Sequence, residues 1–594
     1  MCRFYERSCF TMILIIGEKP SVSRALSSVV GADKAQKGYI EGNGYIVSWC
    51  LGHLVGLKFP NDYGNGWEKK WSFSQLPMIP EQWRFTVTES TKSQFNLLKK
   101  LMGRSDVTEI ICATDADREG ECIFRYVYHM AGCRKPVRRL WVSSLEESAI
   151  RKALSSMKSM SDYDYLFSAG FARAKADWLV GMNFSRLFSV RYGEKLNIGR
   201  VQTPTLSMIV HRDEDIAGFV KQKYYTADLN CGTFTLSSDR IDDVREARSL
   251  VSACNGKTIA VSSVDSEVKT EKAPKLYDLT SLQRDANKVY GYTAQRTLDC
   301  VQSLYEGKLV TYPRTDSQFL SDDMESTALE VTKQCVRCFG FSIAHTPDIG
   351  KLINNSKVTG HHAIIPTVNI ASADLSSLPE GERNILNLIA TRLICASAPV
   401  HKYNAVKITV HHNATKFTAS GRTVLEQGWK QYVKRDKEAD ENDTVKELPA
   451  VTVDQMFNVK AALGEHFTSP PKAYTEDTLL SAMEHAGNDE YDENTEKKGL
   501  GTPATRAGVI ESLVKNGYAV REGKKIHATD KGKRLISVVP KEVKSARLTA
   551  EWESKLQEIE HGKLSEVTFM SRIDHFISET CERYKLAGTS ERKR

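Results

Sequence analysis

No apolar run in this 594-residue chain approaches the roughly 18 residues a membrane-crossing helix needs, which excludes an integral membrane protein of that kind. An export signal is missing as well. Met12-Ile13-Leu14-Ile15-Ile16 is too short and meets Gly17-Glu18-Lys19-Pro20 at once, so it reads as a buried strand. Residues 1–11 stand before it as an appendage to an internal Met12 start. The thirteen cysteines are odd in number, scattered and set mostly in apolar-periodic segments. They make no disulfide frame and fit a reduced, cytoplasmic protein. Cys335-Val336-Arg337-Cys338 has no second pair at ligand spacing, so no structural zinc is expected. The Gly-x-x-x-x-Gly-Lys-Ser/Thr phosphate loop is absent: Asn255-Gly256-Lys257-Thr258 has Val251 where the first glycine belongs, and no ATP is expected. There is no internal repeat and no low-complexity tract.

What remains is an ordinary soluble composition, 41% hydrophobic and 26% charged. At roughly 150 residues per domain the length suggests about four domains. The 82 Lys and Arg exceed the 74 Asp and Glu by eight, which permits a polyanionic partner without demonstrating one.

The first 150 residues alternate strand-like runs (13–16, 109–113) with helix-like ones (21–30, 122–130), the pattern of an α/β layer with a parallel sheet. Helical spacing follows over 146–157, 166–188 and 205–213. Short alternating strands are predicted at 224–229, 233–236 and 258–264. Residues 276–395 return to helix around a Tyr-Pro-Arg-Thr-Asp loop; 405–411 and 416–419 are strands again. The charged segment 434–443 reads as a solvated loop. Residues 475–580 are helical, with a hairpin over 518–527 that turns at Glu522-Gly523-Lys524. The two β-rich stretches flank a helical insert, which predicts nested, discontinuous domains: 12–150; 151–215 with 466–580; 216–275 with 396–465; and the insert 276–395.

Two constellations carry chemistry. Glu18 follows one buried strand, and Asp115, Asp117 and Glu119 follow another. Ligands of open parallel sheets bind at strand carboxyl ends, so adjoining strands would bring these carboxylates together. Hard oxygen donors of that number suit Mg²⁺, one or two ions. The blander reading is that Asp115-x-Asp117 caps the helix beginning near Gly120. The second is Leu309-Val310-Thr311-Tyr312-Pro313-Arg314-Thr315-Asp316-Ser317. A tyrosine hydroxyl is a weak nucleophile near pKa 10. Attack on a phosphodiester would yield a phosphotyrosine that keeps the bond energy for resealing. Arg314 is spaced to hold a phosphate oxygen as charge develops.

The acidic set resembles the Toprim domain, shared by topoisomerases, bacterial primases and some nucleases. The nine-residue tyrosine string resembles the active-site motif of type IA DNA topoisomerases. Asn197-Ile198-Gly199-Arg200-Val201-Gln202 matches that family's Gly-Arg-Val-Gln signature, in which these residues meet the DNA backbone. A bland reading puts them just ahead of a helix starting after Pro204. His361-His362-Ala363-Ile364 matches the His-x-Ala-Ile segment, which implies that His361 assists the tyrosine. His53, in Leu51-Gly52-His53-Leu54, matches a histidine on the DNA path. Arg173 and Asp177 match a helix lining the single-strand groove. Arg506, in Gly499-Leu500-Gly501-Thr502-Pro503-Ala504-Thr505-Arg506, matches a position near DNA and opens a winged-helix-like region.

Glu18-Lys19-Pro20-Ser21, His361-His362-Ala363-Ile364-Ile365-Pro366, Thr468-Ser469-Pro470-Pro471 and Leu548-Thr549-Ala550-Glu551-Trp552 are similar to the topoisomerase III branch. The resemblance spans residues 12–556. It implies a multidomain, toroidal four-domain architecture with an N-terminal Toprim α/β domain. It also implies catalytic roles for Tyr312, Glu18, Lys19, Arg314 and His361, with Glu18, Asp115, Asp117 and Glu119 about the metal. The implied partners are single-stranded and negatively supercoiled DNA and a helicase or single-strand-binding protein. A cytoplasmic, nucleoid-associated monomer is expected. Some topoisomerase III proteins carry a loop linked to decatenation; the β region here is short.

Two other classes stay open at this stage, a Toprim primase or nuclease and a DNA-binding scaffold without activity. Tyr312→Phe separates them: it abolishes cleavage by a topoisomerase and spares that of a metal-only nuclease.

Overall fold

The structure is a computed structural model. It describes residues 11–591 apart from 69, 143–144, 146, 359–360, 413, 434–446 and 487–498. The charged segment 434–443 and most of the N-terminal appendage therefore lie outside the described residues.

The N-terminal layer is a seven-stranded sheet, ordered β2-β3-β4-β1-β7-β8-β9. Its elements are β1 (Met12–Gly17), α1 (Pro20–Val30), β2 (Lys34–Gln36), β3 (Tyr39–Gly42) and β4 (Tyr45–Trp49). They continue with β5 (Val55–Leu57), β6 (Phe85–Val87), α2 (Lys92–Met102), β7 (Val107–Ala113), α3 (Arg118–Met130), β8 (Val137–Arg139), α4 (Glu147–Ser155) and β9 (Lys158–Ser159). Strands β5 and β6 pair apart from the main sheet. Leu14, Ile15 and Ile16 are fully buried because β1 is central and covered on both faces. It runs parallel to β4 and to β7, with Gly17 opposite Ala113. That register makes Glu18 and Thr114-Asp115 leave the sheet side by side.

Beneath that edge lies Arg139, with no exposed surface. It donates to the carbonyls of Cys112, Thr114, Asp115 and Leu140, and its Nε lies 3.0 Å from Glu121 Oε2. Glu121 also accepts from Arg125 at 2.8 Å. A buried cation thus ties down the strand end from which Asp115 projects.

Helices α5 (Asp164–Tyr192) and α6 (Gln202–Ala217) follow. Helix α6 starts ahead of Pro204, not after it, since proline's missing N–H costs nothing in a first turn. Next come β10 (Lys223–Asn230), β11 (Thr235–Ser238), α7 (Val244–Cys254), β12 (Thr258–Ala260) and β13 (Ser263–Glu271). Helix α7 was not anticipated within the β-rich stretch, although it carries one apolar face: Ala247 and Cys254 are buried, and Leu250 and Val251 pack against the core beneath. The single strand expected at 258–264 is two strands in two sheets.

The insert carries α8 (Leu279–Tyr290), α9 (Ala294–Glu306), α10 (Glu325–Phe339) and α11 (Glu380–Ser397). Cys335 and Cys338 both lie on α10. Strands β14 (His401–His412), β15 (Thr415–Glu426), β16 (Met456–Asn458) and β17 (Lys460–Phe467) complete the β region. Its six-stranded sheet, ordered β13-β14-β15-β11-β10-β17, draws on both sides of the insert. The segments entering and leaving the insert pair along their whole length, from Ser263 opposite Thr409 to Glu271 opposite His401.

The remaining elements are β18 (Tyr474–Thr475), α12 (Glu476–His485), α13 (Pro503–Lys515), β19 (Ala519–Glu522), β20 (Lys525–Ala528), α14 (Asp530–Val538), α15 (Lys541–Lys544), α16 (Ala546–Glu560) and α17 (Glu566–Glu591). They share one apolar core with α5 and α6. Strands β19 and β20 form the expected hairpin. A second continuous core runs from Ile15, Val47 and Ile111 of the N-terminal sheet to Tyr305 and Tyr312 of the insert. The insert therefore packs back onto the N-terminal layer. Among the described residues no helix is long and apolar enough to cross a membrane.

Arg139→Met would take the donor from Glu121 Oε2 and one donor from each of four carbonyls. The expected cost is about 3–5 kcal/mol. It would be read as a lower melting temperature and lost amide-exchange protection over 107–130; unchanged protection there would refute this account of the strand end.

Candidate active site

The Tyr312 hydroxyl donates to Asp115 Oδ2 at 2.7 Å, across 197 residues of sequence. The Tyr312 side chain is buried, its ring edge-on to Tyr305 and 4.2 Å, centroid to centroid, from the His361 ring. Asp115 reaches this point because its strand is in register with β1. Its N–H donates to Glu18 Oε2 at 3.2 Å. Asp117 is the N-cap of α3, its Oδ1 accepting from the Gly120 N–H at 2.7 Å. Only glycine fits at 120: a Cβ there would lie 2.1 Å from the Asp115 carbonyl oxygen.

The electrostatics follow from burial. Glu18 is pushed up to about 8 by desolvation first, then by Asp115 and Asp117; Arg314 pulls the other way. Asp117 rises to about 6, again through burial and then Asp115. The Tyr312 phenol is pushed well above its ordinary value by burial and by the same two aspartates. Burial works against the Arg314 charge, but Tyr312, Asp115, Glu18 and Asp117 outweigh it and hold the guanidinium protonated. The buried Nε of Arg314 has no hydrogen-bond partner among the described residues. The His361 ring makes no side-chain hydrogen bond among the described residues; its polar neighbour is the backbone of Ala116. Burial, then His362 and Arg139, lower the His361 imidazole to about 3 and keep it neutral.

The unpaired Arg314 donor and the crowded carboxylates fit a missing anion and cation. The donor set is oxygen only, as Mg²⁺ prefers. Among the described residues no three His, Cys, Asp or Glu side chains form a ready metal cage. The four carboxylates expected about the metal are therefore not gathered into one set, and Asp115 and Asp117 are the pair that could meet an ion completing its shell with phosphate and water. Glu119 does not join the group: its carboxylate pairs with His53, which holds it below its usual range. Lys19 points across the interface, its Nζ 3.5 Å from Glu306 of α9.

Two family descriptions match the chain: the Toprim domain over residues 13–145 and DNA topoisomerase over 161–571. DNA topoisomerase 3 of Bacillus cereus is 38% identical over 607 aligned positions, covering 96% of this chain and 82% of the relative. DNA topoisomerase 3 of Bacillus subtilis is 39% identical over 598, with the same coverage. The chain belongs to the type IA DNA topoisomerases, on their topoisomerase III branch. Full-length topoisomerase I from Thermotoga maritima shares the fold, with a TM-score of 0.73 at 23% identity over 95% of this chain and 90% of that one.

Beside this centre the topoisomerase builds a second charged cluster. Arg200 is buried, with Nε 2.7 Å from Asp177 Oδ1; Arg173 Nε lies 3.8 Å from Asp177 Oδ2. Arg118 of α3 reaches Glu553 and Glu560 of α16, both at 2.6 Å. Burial works to raise the Glu553 carboxyl, but Arg118, Arg173 and Arg200 outweigh it and bring it to about 2. Sequence reasoning missed Arg118 and Glu553 as a pair: Arg118 stands between two of the carboxylates singled out, and Glu553 stands one residue past the Leu548–Trp552 string. The intervening segment is pinned through its backbone: the N–H of Asn197 donates to the Tyr518 hydroxyl, that of Ile198 to Ser185, and that of Gly199 to Thr203. Val201 precedes α6, and the Gln202 amide donates to Ser512 Oγ at 2.9 Å. Arg506 is buried, its Nη1 2.8 Å from Thr280 Oγ1.

A carboxyl raised on folding binds more protons folded than unfolded between its two pKa values. Without divalent cation, Glu18 therefore makes stability fall as pH rises from about 4.5 through about 8. Melting in EDTA at pH 5 to 9 should show this slope, and Glu18→Gln should reduce it. An identical slope in the variant would rule out Glu18 as its source.

Proposed function

We propose that the closed arrangement is the cleavage-competent form of an ATP-independent enzyme, and that Tyr312 is its nucleophile. The observation that carries this is the buried Tyr312–Asp115 hydrogen bond, ringed by Glu18, Arg314 and His361. Tyr312 Oη attacks the phosphorus of a single strand, and its proton leaves along the bond to Asp115 Oδ2. Glu18, protonated up to about pH 8, gives its proton to the departing 3′ oxygen. The product is a 5′-phosphotyrosine with a free 3′ hydroxyl; resealing returns both protons. Arg314 and the neutral His361 offer nitrogens to the phosphate oxygens, with Lys19 freed from Glu306 to join them. Asp115 Oδ1 and the free oxygen of Asp117 are the donors for Mg²⁺, which neutralises and orients the phosphate when bound.

The modules that take part are 12–150 (Toprim), 151–215 with 466–580 (the single-strand groove with Arg173, Asp177 and the 197–202 segment), 216–275 with 396–465 (the arch), and 276–395 (the tyrosine module). The tyrosine module swings away, a second strand passes, and resealing relaxes negative supercoils or decatenates DNA. The enzyme works as a monomer in the bacterial cytoplasm at the nucleoid, with a helicase or single-strand-binding protein supplying open strands.

Negatively supercoiled plasmid with Mg²⁺ and no ATP tests this. Wild type should relax it stepwise, and denaturation should trap protein on 5′ ends. Tyr312→Phe should do neither. Nicking by both proteins without adduct would replace this reading with a Toprim nuclease.

A further inference from the structure

Arg506 lies in the first turns of α13, far in sequence from the tyrosine loop, yet it spends its guanidinium on the insert. Nη1 donates to the fully buried Thr280 Oγ1 at 2.8 Å, and Nε donates to the Leu500 carbonyl at 3.1 Å. Glu484 of α12 is 3.8 Å away. Thr280 is the second residue of α8, whose first N–H, from Leu279, donates to the Thr315 carbonyl at 3.1 Å. Thr315 stands three residues past Tyr312. Its hydroxyl donates to the His361 carbonyl at 2.9 Å, and the His361 ring lies against Tyr312. Hydrogen bonds and the short backbone links between them therefore connect α13, through the start of α8 and Thr315, to the main chain of His361, whose ring packs on the nucleophile.

The other end of the same segment touches the Gly199–Gln202 stretch. Gln202 is bonded to Ser512 on α13. Gly501 has φ +70°, and a Cβ there would lie 3.4 Å from Val201 Cγ1. Helix α13 is thus wedged between the stretch that the reading above assigns to single-strand binding and the loop that carries Tyr312.

We propose that Arg506 is a positioning residue for cleavage: it sets Tyr312 and His361 through Thr280 and the N-terminus of α8, and does not touch DNA. The inference rests on the topoisomerase reading above. It gives the closed gate a second point of registration, away from the carboxylates, that holds the tyrosine loop at a set height over the Toprim edge. It also couples the seating of α13 on the 199–202 stretch to the placement of the nucleophile.

The test uses the full-length enzyme and a labelled single-stranded oligonucleotide with Mg²⁺. Thr280→Val removes the acceptor and keeps the shape, Thr280→Ser restores the hydroxyl, and Arg506→Lys shortens the donor. Covalent adduct formation is followed for each, and noncovalent affinity is measured for the same changes in a Tyr312→Phe background. Thr280→Val and Arg506→Lys should each slow adduct formation about tenfold or more, the scale of a lost charged hydrogen bond. Affinity should stay within about twofold, Thr280→Ser should behave as wild type, and the double variant should be no slower than the worse single one. A large affinity loss in Arg506→Lys with Thr280→Val silent would overturn the proposal in favour of a direct DNA contact. Strictly additive rates, or two silent variants, would also overturn it. No adduct from the wild type would instead overturn the reading on which it rests.

Discussion

A phenol and a carboxylate from distant parts of the chain share one buried hydrogen bond, and the architecture is arranged so that this bond can be made. Asp115 is delivered by the parallel register of β1 and β7, which is fixed by the central apolar strand. Tyr312 arrives from the insert, which joins the rest of the chain only through β13 and β14. Those two strands zip together along nine residue pairs, so the insert hangs on a stiff two-stranded neck. A second neck joins the β region to the helices, where Gln222 and Thr468 exchange backbone and hydroxyl hydrogen bonds. Both necks are paired, which is what the swing of the tyrosine module proposed above would turn on without unravelling either core.

The charge balance at the closed site explains why it suits a phosphate and a cation arriving together. Buried carboxylates repel one another strongly because little water screens them. Without a cation, burial and this repulsion push Glu18 up to about 8, so that it keeps its proton near neutral pH, and raise Asp117 to about 6. The Arg314 guanidinium is shared among Tyr312, Asp115, Glu18 and Asp117 and still keeps a buried Nε with no partner among the described residues. A phosphate alone would satisfy Arg314 and His361 and worsen the crowding of acids. A cation alone would relieve the acids and leave the Arg314 Nε unpaired. Both needs are met only when the two arrive together.

Much of this was legible in the sequence, for local reasons. The strand ends, the helix that follows Asp117 and the hairpin at Gly523 are written in short-range patterns of apolar residues, caps and turns. The discontinuous β sheet was also legible, because the composition changes on both sides of the insert. What escaped depends on distance in sequence. Nothing local pairs His53 with Glu119, Arg118 with Glu553 or Arg506 with Thr280, and a motif that marks an arginine does not say which way its side chain turns. Helix α7 was not hidden in this way: Ala247, Leu250, Val251 and Cys254 recur at helical spacing on the face that meets the core, a local signal that the surrounding strand pattern masked.

The Asp-x-Asp string shows why a structural and a chemical reading of one residue need not compete. Asp117 caps α3 with Oδ1, as the blander reading held, and the cap restrains its side chain while leaving the other oxygen uncommitted to it. The same turn requires Gly120, which lets the Asp115 carbonyl fold close over the helix start and sets two carboxylates one residue apart on the same edge. Arg139 then holds the Asp115 carbonyl from below. A device that begins a helix thus also preorganises a pair of oxygen donors. Removing the cap would cost the helix little, about 1 kcal/mol, but it would free Asp117 to rotate, and the loss would fall on the geometry of the site more than on the stability of the fold.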